Sequence, residues 1–381
     1  MYNIRMVNIA FTGGGTGGHI YPGLAVAAEL KKLLPEVQIF WIGSSSGMDR
    51  ALVESAGIEF FGVPSGKLRR YLSFRNIIDI FKILGGFFSS RKILKRKKAR
   101  MLFSKGGFVS VPPCAAAASL RLPVFTHESD FSPGLATKIN TRFIKGKGRI
   151  FTAYEDTAGF FPKKIQDIVI VSGNPVRGEF RSADPAKGRA FLELGDDARV
   201  LLILGGSQGA KEINELVRAA LPSLTEIYVV VHQSGPSLSW DIPASCKYKP
   251  YPYIKDEMPH VMAAAELVMG RSGAGVWEWA VQGKPMILLP LRGSGTRGDQ
   301  IENARFFEKA KAALVLSSPS GNGGDVSVQE FVNAVSSFAG NAEMRKSFAQ
   351  ASARIGEKDG AGIIAKVLAE NAGGADDFCR N

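Results

Sequence analysis

Among the 381 residues are four histidines, and two of them stand beside groups with which an imidazole could move a proton. His19 closes the run Thr16-Gly-Gly-His19, directly after a β-like stretch. His127 opens His127-Glu-Ser-Asp130, which puts a base and two carboxylates on one loop at the end of a predicted strand. An imidazole is the usual choice when a hydroxyl must lose its proton near neutral pH. His19 and His127 are therefore the imidazoles placed to act as a base, and the Glu128–Asp130 carboxylates suit either acid/base work or hydrogen bonds to hydroxyl-rich ligands. A plainer role is equally open for each histidine: a helix-start hydrogen bond for His19 and a satisfied strand-end residue for His127. His232 and His260 belong to no such constellation. A metal site at this loop would need a third ligand at characteristic spacing, and none is identifiable.

Glycine turns carry a second kind of chemistry. Gly13–Gly18, Gly205-Gly-Ser-Gln-Gly209 and Arg271-Ser-Gly-Ala-Gly275 each follow a predicted strand and precede a predicted helix. Such a turn lets the backbone approach a phosphate, while unpaired N–H groups and the helix dipole supply positive charge. Gly13-x-Gly15-x-x-Gly18 also satisfies the dinucleotide fingerprint, which calls for an acidic residue ending the second strand. That strand runs Trp41-Ile-Gly-Ser-Ser45, which argues against a nicotinamide enzyme. No turn ends in Gly-Lys-Ser/Thr, so the Walker loop is absent. One such turn is explained by backbone geometry alone; three at strand ends form a pattern.

The elements that must position these residues alternate between strand and helix. Met6–Phe11, Gln38–Ile42, Met101–Phe103 and Pro123–His127 read as strands, with helices over Pro22–Leu33 and Cys114–Leu120. After Ser172-Gly-Asn-Pro175 the pattern restarts: strands Val200–Leu204, Leu267–Met269 and Met286–Leu291, helices Lys211–Ala220 and Val276–Val281. The expectation is an α/β protein of two doubly wound Rossmann-like domains meeting at a cleft, with their boundary between 172 and 185. Ser317–Gly324 reads as a flexible loop and the tail after Ala372 as frayed. The length fits two domains, and 45% hydrophobic with 22% charged residues is ordinary for a soluble protein. The most apolar stretch, Ile77–Phe88, is interrupted by Asp79 and Lys82 and is too short to span a bilayer. The first residues lack the regions of a signal peptide, so a cytoplasmic protein is expected. Cys114, Cys246 and Cys379 form no paired motif and read as incidental thiols.

Charge is concentrated. Of the formal +13, the window Lys67–Arg100 supplies +11, twelve Lys/Arg against Asp79 alone. Ile77, Ile78, Phe81, Leu84, Phe87 and Phe88 are interleaved with the basic residues. That mixture suits an interfacial element, apolar groups entering the headgroup layer and basic ones meeting anionic lipid. A partly buried helix followed by a solvated basic one has the same composition. No nucleic-acid-binding motif accompanies the charge.

Taken together, Thr16-Gly-Gly-His19 with Tyr21-Pro-Gly-Leu-Ala-Val26, Gly66-Lys-Leu-Arg-Arg70, Ser104-Lys-Gly-Gly-Phe-Val-Ser-Val-Pro112, Gly173-Asn-Pro-Val-Arg177, Gly205-Gly-Ser-Gln-Gly-Ala210, Arg271-Ser-Gly-Ala274 with Glu278, and Gly298-Asp-Gln-x-x-Asn-Ala304 closely resemble the MurG family, in order from residue 5 to about 310. These are the peptidoglycan N-acetylglucosaminyltransferases that convert lipid I to lipid II. The motif His-Glu-Gln-Asn of many members reads His127-Glu-Ser-Asp130 here.

The resemblance implies the two-domain glycosyltransferase B fold: an acceptor- and membrane-binding domain over 1–172, a donor domain over 173–359, and a last helix near 360–372 packing back on the first. It implies UDP-N-acetylglucosamine (UDP-GlcNAc) as donor, with Ser207 and the Gly205–Gly209 backbone at the diphosphate, Ile254 against uracil, Glu278 on the ribose, and Asp299 and Gln300 on the sugar. Arg177 corresponds to the family arginine associated with the nucleotide sugar. Thr16, Gly17 and Gly18 approach the donor from the other domain, Asp130 contacts sugar, and His19, with Glu128 as competitor, is the base. The acceptor is lipid I at an anionic membrane surface reached through 67–100, at the cytoplasmic face. A cell-wall synthesis complex is an implied partner, no cofactor is required, and Mg²⁺ is a possible aid. A UDP-GlcNAc epimerase on the same fold is the alternative reading.

Overall fold

The computed structural model describes residues 7–45, 49–66, 74–206, 209–236, 247–292, 298–316 and 326–374. Ser207, Cys246, Cys379 and the expected loop Ser317–Gly324 lie outside them, as does the tail beyond 374. The chain divides into two units, Met1–Arg177 with Lys358–Asn381, and Gly178–Glu357.

The first unit is built on seven strands, β1 Asn8–Thr12, β2 Gln38–Ser44, β3 Glu59–Val63, β4 Met101–Ser104, β5 Val124–Glu128, β6 Ile150–Thr152 and β7 Val169–Val171. Their order is β3-β2-β1-β4-β5-β6-β7, every pair parallel. Parallel neighbours require crossovers, so helices cover both faces and the strands are apolar at their centres. On one face Ile9, Phe11, Phe103, Phe125 and Phe151 pack with Ile364, Ala365 and Leu368 of helix Gly360–Ala369. The chain's last helix thus completes the core of its first unit.

Helix Gly17–Leu33 begins well before the expected Pro22, which lies inside it. Proline usually marks a first turn; here Pro22 lacks an N–H for the Gly18 carbonyl, and the helix starts in spite of it. Gly17, Gly18 and His19 therefore form a helical first turn, not a loop. The two units divide at Arg177/Gly178, inside the expected span 172–185. Ser172–Asn174 remain fastened to the first sheet: Ser172 N–H donates to the Thr152 carbonyl at 3.0 Å, and a Cβ on Gly360 would stand 2.8 Å from the Asn174 carbonyl carbon.

The second unit carries β8 Val200–Leu204, β9 Val229–Gln233, β10 Tyr248–Tyr251, β11 Leu267–Gly270, β12 Met286–Leu288 and β13 Ala313–Val315, ordered β10-β9-β8-β11-β12-β13 and again parallel. Helix Lys211–Ile227 buries Ile213, Leu216, Val217, Ala220, Leu221 and Leu224, a helical stripe facing Leu201, Ile203 and Met269. Each sheet reverses its strand order once, between β1 and β4 and between β8 and β11. Ligands of such sheets bind beyond the carboxyl ends of strands at those points.

Candidate functional site

At the first switch point the loop after β1 is held by an internal acid. A Cβ on Gly14 would stand 2.0 Å from Asp49 Oδ2, and the Asp49 carboxylate accepts the Gly15 N–H at 3.1 and 3.2 Å. Burial pushes the Asp49 carboxyl above its ordinary range, opposed by backbone bonds from Gly15 and Ser44. The Gly15 amide expected for an external phosphate is thus engaged by the protein's own carboxylate. Trp41 Nε1 donates to the Gly13 carbonyl at 3.0 Å and fixes the other side of the loop.

His19 is the third residue of its helix and only partly buried. Its Nδ1 lies 3.2 Å from the Lys105 carbonyl oxygen, which can only accept, so Nδ1 carries the proton and neutral imidazole presents the Nε2 lone pair. The ring packs on the turn after β4, where a Cβ on Gly107 (φ 77°) would come within 3.2 Å of His19 Cδ2.

His127 and Glu128 end β5 instead of standing on a loop. His127 is fully buried, donates from Nε2 to the Gly173 carbonyl at 3.1 Å, and is held neutral, its pKa well below the usual value through burial and the nearby Lys105. Glu128 is also buried. Its Oε1 accepts the Ser129 and Asp130 N–H groups at 2.9 and 3.1 Å, and its Oε2 accepts the Gly134 N–H at 3.0 Å. Both oxygens therefore hold the following loop. Asp130 is half-buried on that loop, Thr16 and Gly18 are exposed, and Arg177 lies 4.6 Å over the Tyr21 ring.

At the second switch point, Gly206 and Gly209 adopt φ of 79° and 75°. A Cβ on Gly209 would lie 2.3 Å from the Ser234 carbonyl oxygen. Gln233, ending β9, donates to the Gly206 carbonyl at 3.4 Å and accepts the N–H of the buried Ile254 at 3.0 Å. Arg271 pairs with Glu212 at 2.6 Å and donates to the Leu289 carbonyl at 3.1 Å, joining β11, the glycine-turn helix and the segment after β12. Ser272 Oγ donates to the Gln300 carbonyl at 2.6 Å, and Gln300 Oε1 accepts the Leu291 N–H at 2.9 Å. Asp299 opens helix Asp299–Lys309 after Gly298 (φ 77°), and the half-buried Glu278 lies in the first turn of helix Val276–Val281. The second unit thus gathers the glycine turn, Glu278, Asp299 and Gln300 around one sheet edge. Asp49, Lys105 and Gln233 complete the two switch points without having been singled out by sequence reasoning. For Lys105 a signal existed, a lysine between an apolar strand and two glycines.

Among the described residues no group of three or more His, Cys, Asp or Glu is arranged to hold a metal ion. His232 is buried, contacts the Tyr248 hydroxyl at 3.0 Å, and has its pKa lowered to about 4 by burial. Between pH 4 and 6.5 the unfolded chain therefore binds a proton that the fold refuses. Stability should fall as pH drops through that window, by about 3 kcal/mol for this group alone. Urea midpoints measured from pH 7 to 4 test this, with a shallower decline expected for His232→Phe.

Residues 9–147 match the glycosyltransferase family 28 N-terminal domain and residues 200–358 the glycosyltransferase family 28 C-terminal domain. A Treponema denticola protein named UDP-N-acetylglucosamine–N-acetylmuramyl-(pentapeptide) pyrophosphoryl-undecaprenol N-acetylglucosamine transferase is 46% identical over 94% of this chain and 96% of its own length. The crystal structure of Acinetobacter baumannii MurG superposes with a TM-score of 0.70 at 25% identity, covering 96% of this chain and 99% of that one. A Neisseria meningitidis UDP-GlcNAc 2-epimerase shares the fold, with a TM-score of 0.66 at 15% identity over 96% of this chain and all of that one. The two parallel sheets are those of the glycosyltransferase B fold, and the chain belongs to glycosyltransferase family 28 and, within it, to the MurG family.

Proposed function

We infer that the chain transfers N-acetylglucosamine from UDP-GlcNAc to the N-acetylmuramyl-pentapeptide of the undecaprenyl-pyrophosphoryl acceptor, lipid I, giving lipid II. The observation that carries this is the 46% identity to a relative of that name over nearly the full length of both chains. The epimerase is a fold neighbour at 15% identity. The experiment is transfer of radiolabelled sugar from UDP-GlcNAc to a lipid I analogue, with a no-acceptor control. Acceptor-dependent product is expected, and conversion of donor alone would return the epimerase.

In this reading the acceptor 4-hydroxyl attacks the anomeric carbon with inversion; the C1–O4 bond forms, the C1–phosphate oxygen bond breaks, and UDP leaves with the electron pair. The hydroxyl proton passes to His19 Nε2. Glu128 is the weaker candidate because three backbone N–H groups occupy its oxygens. In the second unit, Ser207 and the Gly205–Gly209 backbone, ahead of a helix N-terminus, meet the diphosphate. Ile254 walls the uracil, Glu278 takes the ribose hydroxyls, and Asp299 and Gln300 take the sugar. By the same resemblance Thr16, Gly17, Gly18 and the Arg177 guanidinium are assigned to the donor and Asp130 to the sugar hydroxyls. Amides, a helix dipole and a fixed guanidinium suffice for the leaving charge, so no cofactor is required; Mg²⁺ can add as a counter-ion.

A polyprenyl acceptor lies in a bilayer, and no helix among the described residues is long and apolar enough to cross one. Helix Phe74–Arg96 offers peripheral docking. Ile80, Phe81, Leu84 and Phe88 are 51, 69, 49 and 65% exposed, and at that spacing they share one stripe, which Arg91, Lys92 and Lys95 continue. The helix is seated through Gly86, where a Cβ would meet the Pro64 carbonyl oxygen at 2.3 Å and Pro112 at 3.2 Å. In this reading the enzyme docks on the anionic cytoplasmic face of the cell membrane and serves cell-wall synthesis, cell shape and division within a cell-wall synthesis complex. Residues 67–73 of the basic window lie outside the described residues. Phe81→Ser with Phe88→Ser should weaken binding to phosphatidylglycerol vesicles at least tenfold, since burying each ring is worth about 1.5–3 kcal/mol. Lys92→Gln with Lys95→Gln should weaken it chiefly at low salt, about 1 kcal/mol per charge. Flotation of the variants at two salt concentrations checks both.

A further inference from the structure

The transfer chemistry above leaves Lys105 unused, although it is 1% exposed and stands at the end of β4 on the first switch point. Its Nζ donates to Ser129 Oγ at 2.7 Å, and that hydroxyl donates to Asn174 Oδ1 at 2.5 Å. Its carbonyl accepts the His19 Nδ1 proton. An ammonium without water is costly unless its neighbours compensate. Those neighbours are Glu128 and Asp130, which favour its charge, His127, which it helps keep neutral, and His19 on the helix above. Glu128 in turn folds the 129–134 loop onto itself through three N–H bonds. One residue therefore reaches both the candidate base, by its backbone, and the carboxylate loop, by its side chain.

We propose that Lys105 is a positioning residue for the acceptor reaction, its ammonium holding the Glu128–Asp130 loop while its carbonyl fixes the tautomer and direction of His19. This rests on the transferase reading. Loss of the proton leaves Glu128 and Asp130 without their shared counter-charge and lets the loop relax, so the charged form is the competent one. Burial draws the Lys105 ammonium down to about 8 from 10.5 against the pull of the two carboxylates, which brings that loss into an accessible range.

The test uses the full chain, UDP-GlcNAc and a lipid I analogue, with kcat/KM for the acceptor measured from pH 6.5 to 9.5 and UDP affinity by calorimetry. Wild-type activity should fall on an alkaline limb centred near pH 8. Lys105→Arg keeps its charge across the range and should lose that limb while retaining acceptor transfer. Lys105→Met should show no limb and an acceptor kcat/KM about tenfold lower at pH 7, with UDP affinity unchanged. If Lys105→Met does not fold, Lys105→Arg carries the test alone. A limb still centred near pH 8 in Lys105→Arg overturns the positioning role and leaves the transferase reading intact. Wild-type protein that transfers no sugar to the acceptor overturns both.

Discussion

His19→Ala should lower turnover at saturating substrates by 10²–10⁴-fold, the span expected for removing a positioned general base, while calorimetric affinity for UDP stays within about twofold. The basis is a tautomer argument. The Lys105 carbonyl oxygen 3.2 Å from Nδ1 accepts only, so the neutral ring carries its lone pair on Nε2. Glu128, the competing base, has both oxygens engaged by the Ser129, Asp130 and Gly134 amides. Glu128→Gln exchanges one of those acceptors for a donor and should damage the loop and its Lys105 partner. Its losses should therefore appear in acceptor KM and in thermal stability together. Equal losses of turnover and UDP binding in His19→Ala would undo its assignment as base, because UDP carries no hydroxyl that needs this group.

Much of this arrangement could be read from the chain, and the failures have physical causes. Strands such as Val200–Leu204 are short apolar runs bounded by glycine, and helix Val276–Val281 begins where its glycine turn ends; local sequence specifies both. Strands β6, β7 and β13 have three residues each, too few for any period to show, and they are set by pairing with neighbours already in the sheet. The start of helix Gly17–Leu33 was hidden because Pro22 sits where a start signal would mislead. His127 looked like chemistry because it is a histidine beside two acids, yet it is sealed under the sheet edge as a neutral donor to Gly173. Burial of one histidine and partial exposure of another, both beside the same switch point, is a tertiary fact. So is the use of Asp49: a carboxylate far along the chain occupying a glycine-turn amide cannot be inferred from the turn itself.

The second large effect concerns the other unit. Gly209→Ala should reduce UDP affinity about 10- to 100-fold while leaving turnover at saturating donor near that of the wild type, the opposite of His19→Ala. Two costs meet at this position. A residue with a Cβ pays about 1–2 kcal/mol at φ 75°, and the new atom would lie 2.3 Å from the Ser234 carbonyl oxygen, so the turn must shift. Ser234 is held through its N–H to the Tyr251 carbonyl at 3.0 Å, and Gln233 beside it joins Gly206 to Ile254. The displacement therefore falls on the turn proposed to meet the diphosphate. Gly206→Ala separates the two costs, since φ there is 79° but none of the described residues lies within 4 Å of the added atom. It should lose about tenfold or less, through backbone strain alone. Calorimetry with UDP on both variants decides: a clear excess loss for Gly209→Ala assigns the effect to crowding against β9, whereas equal losses would mean that the strained backbone, and not the Ser234 contact, shapes the donor turn.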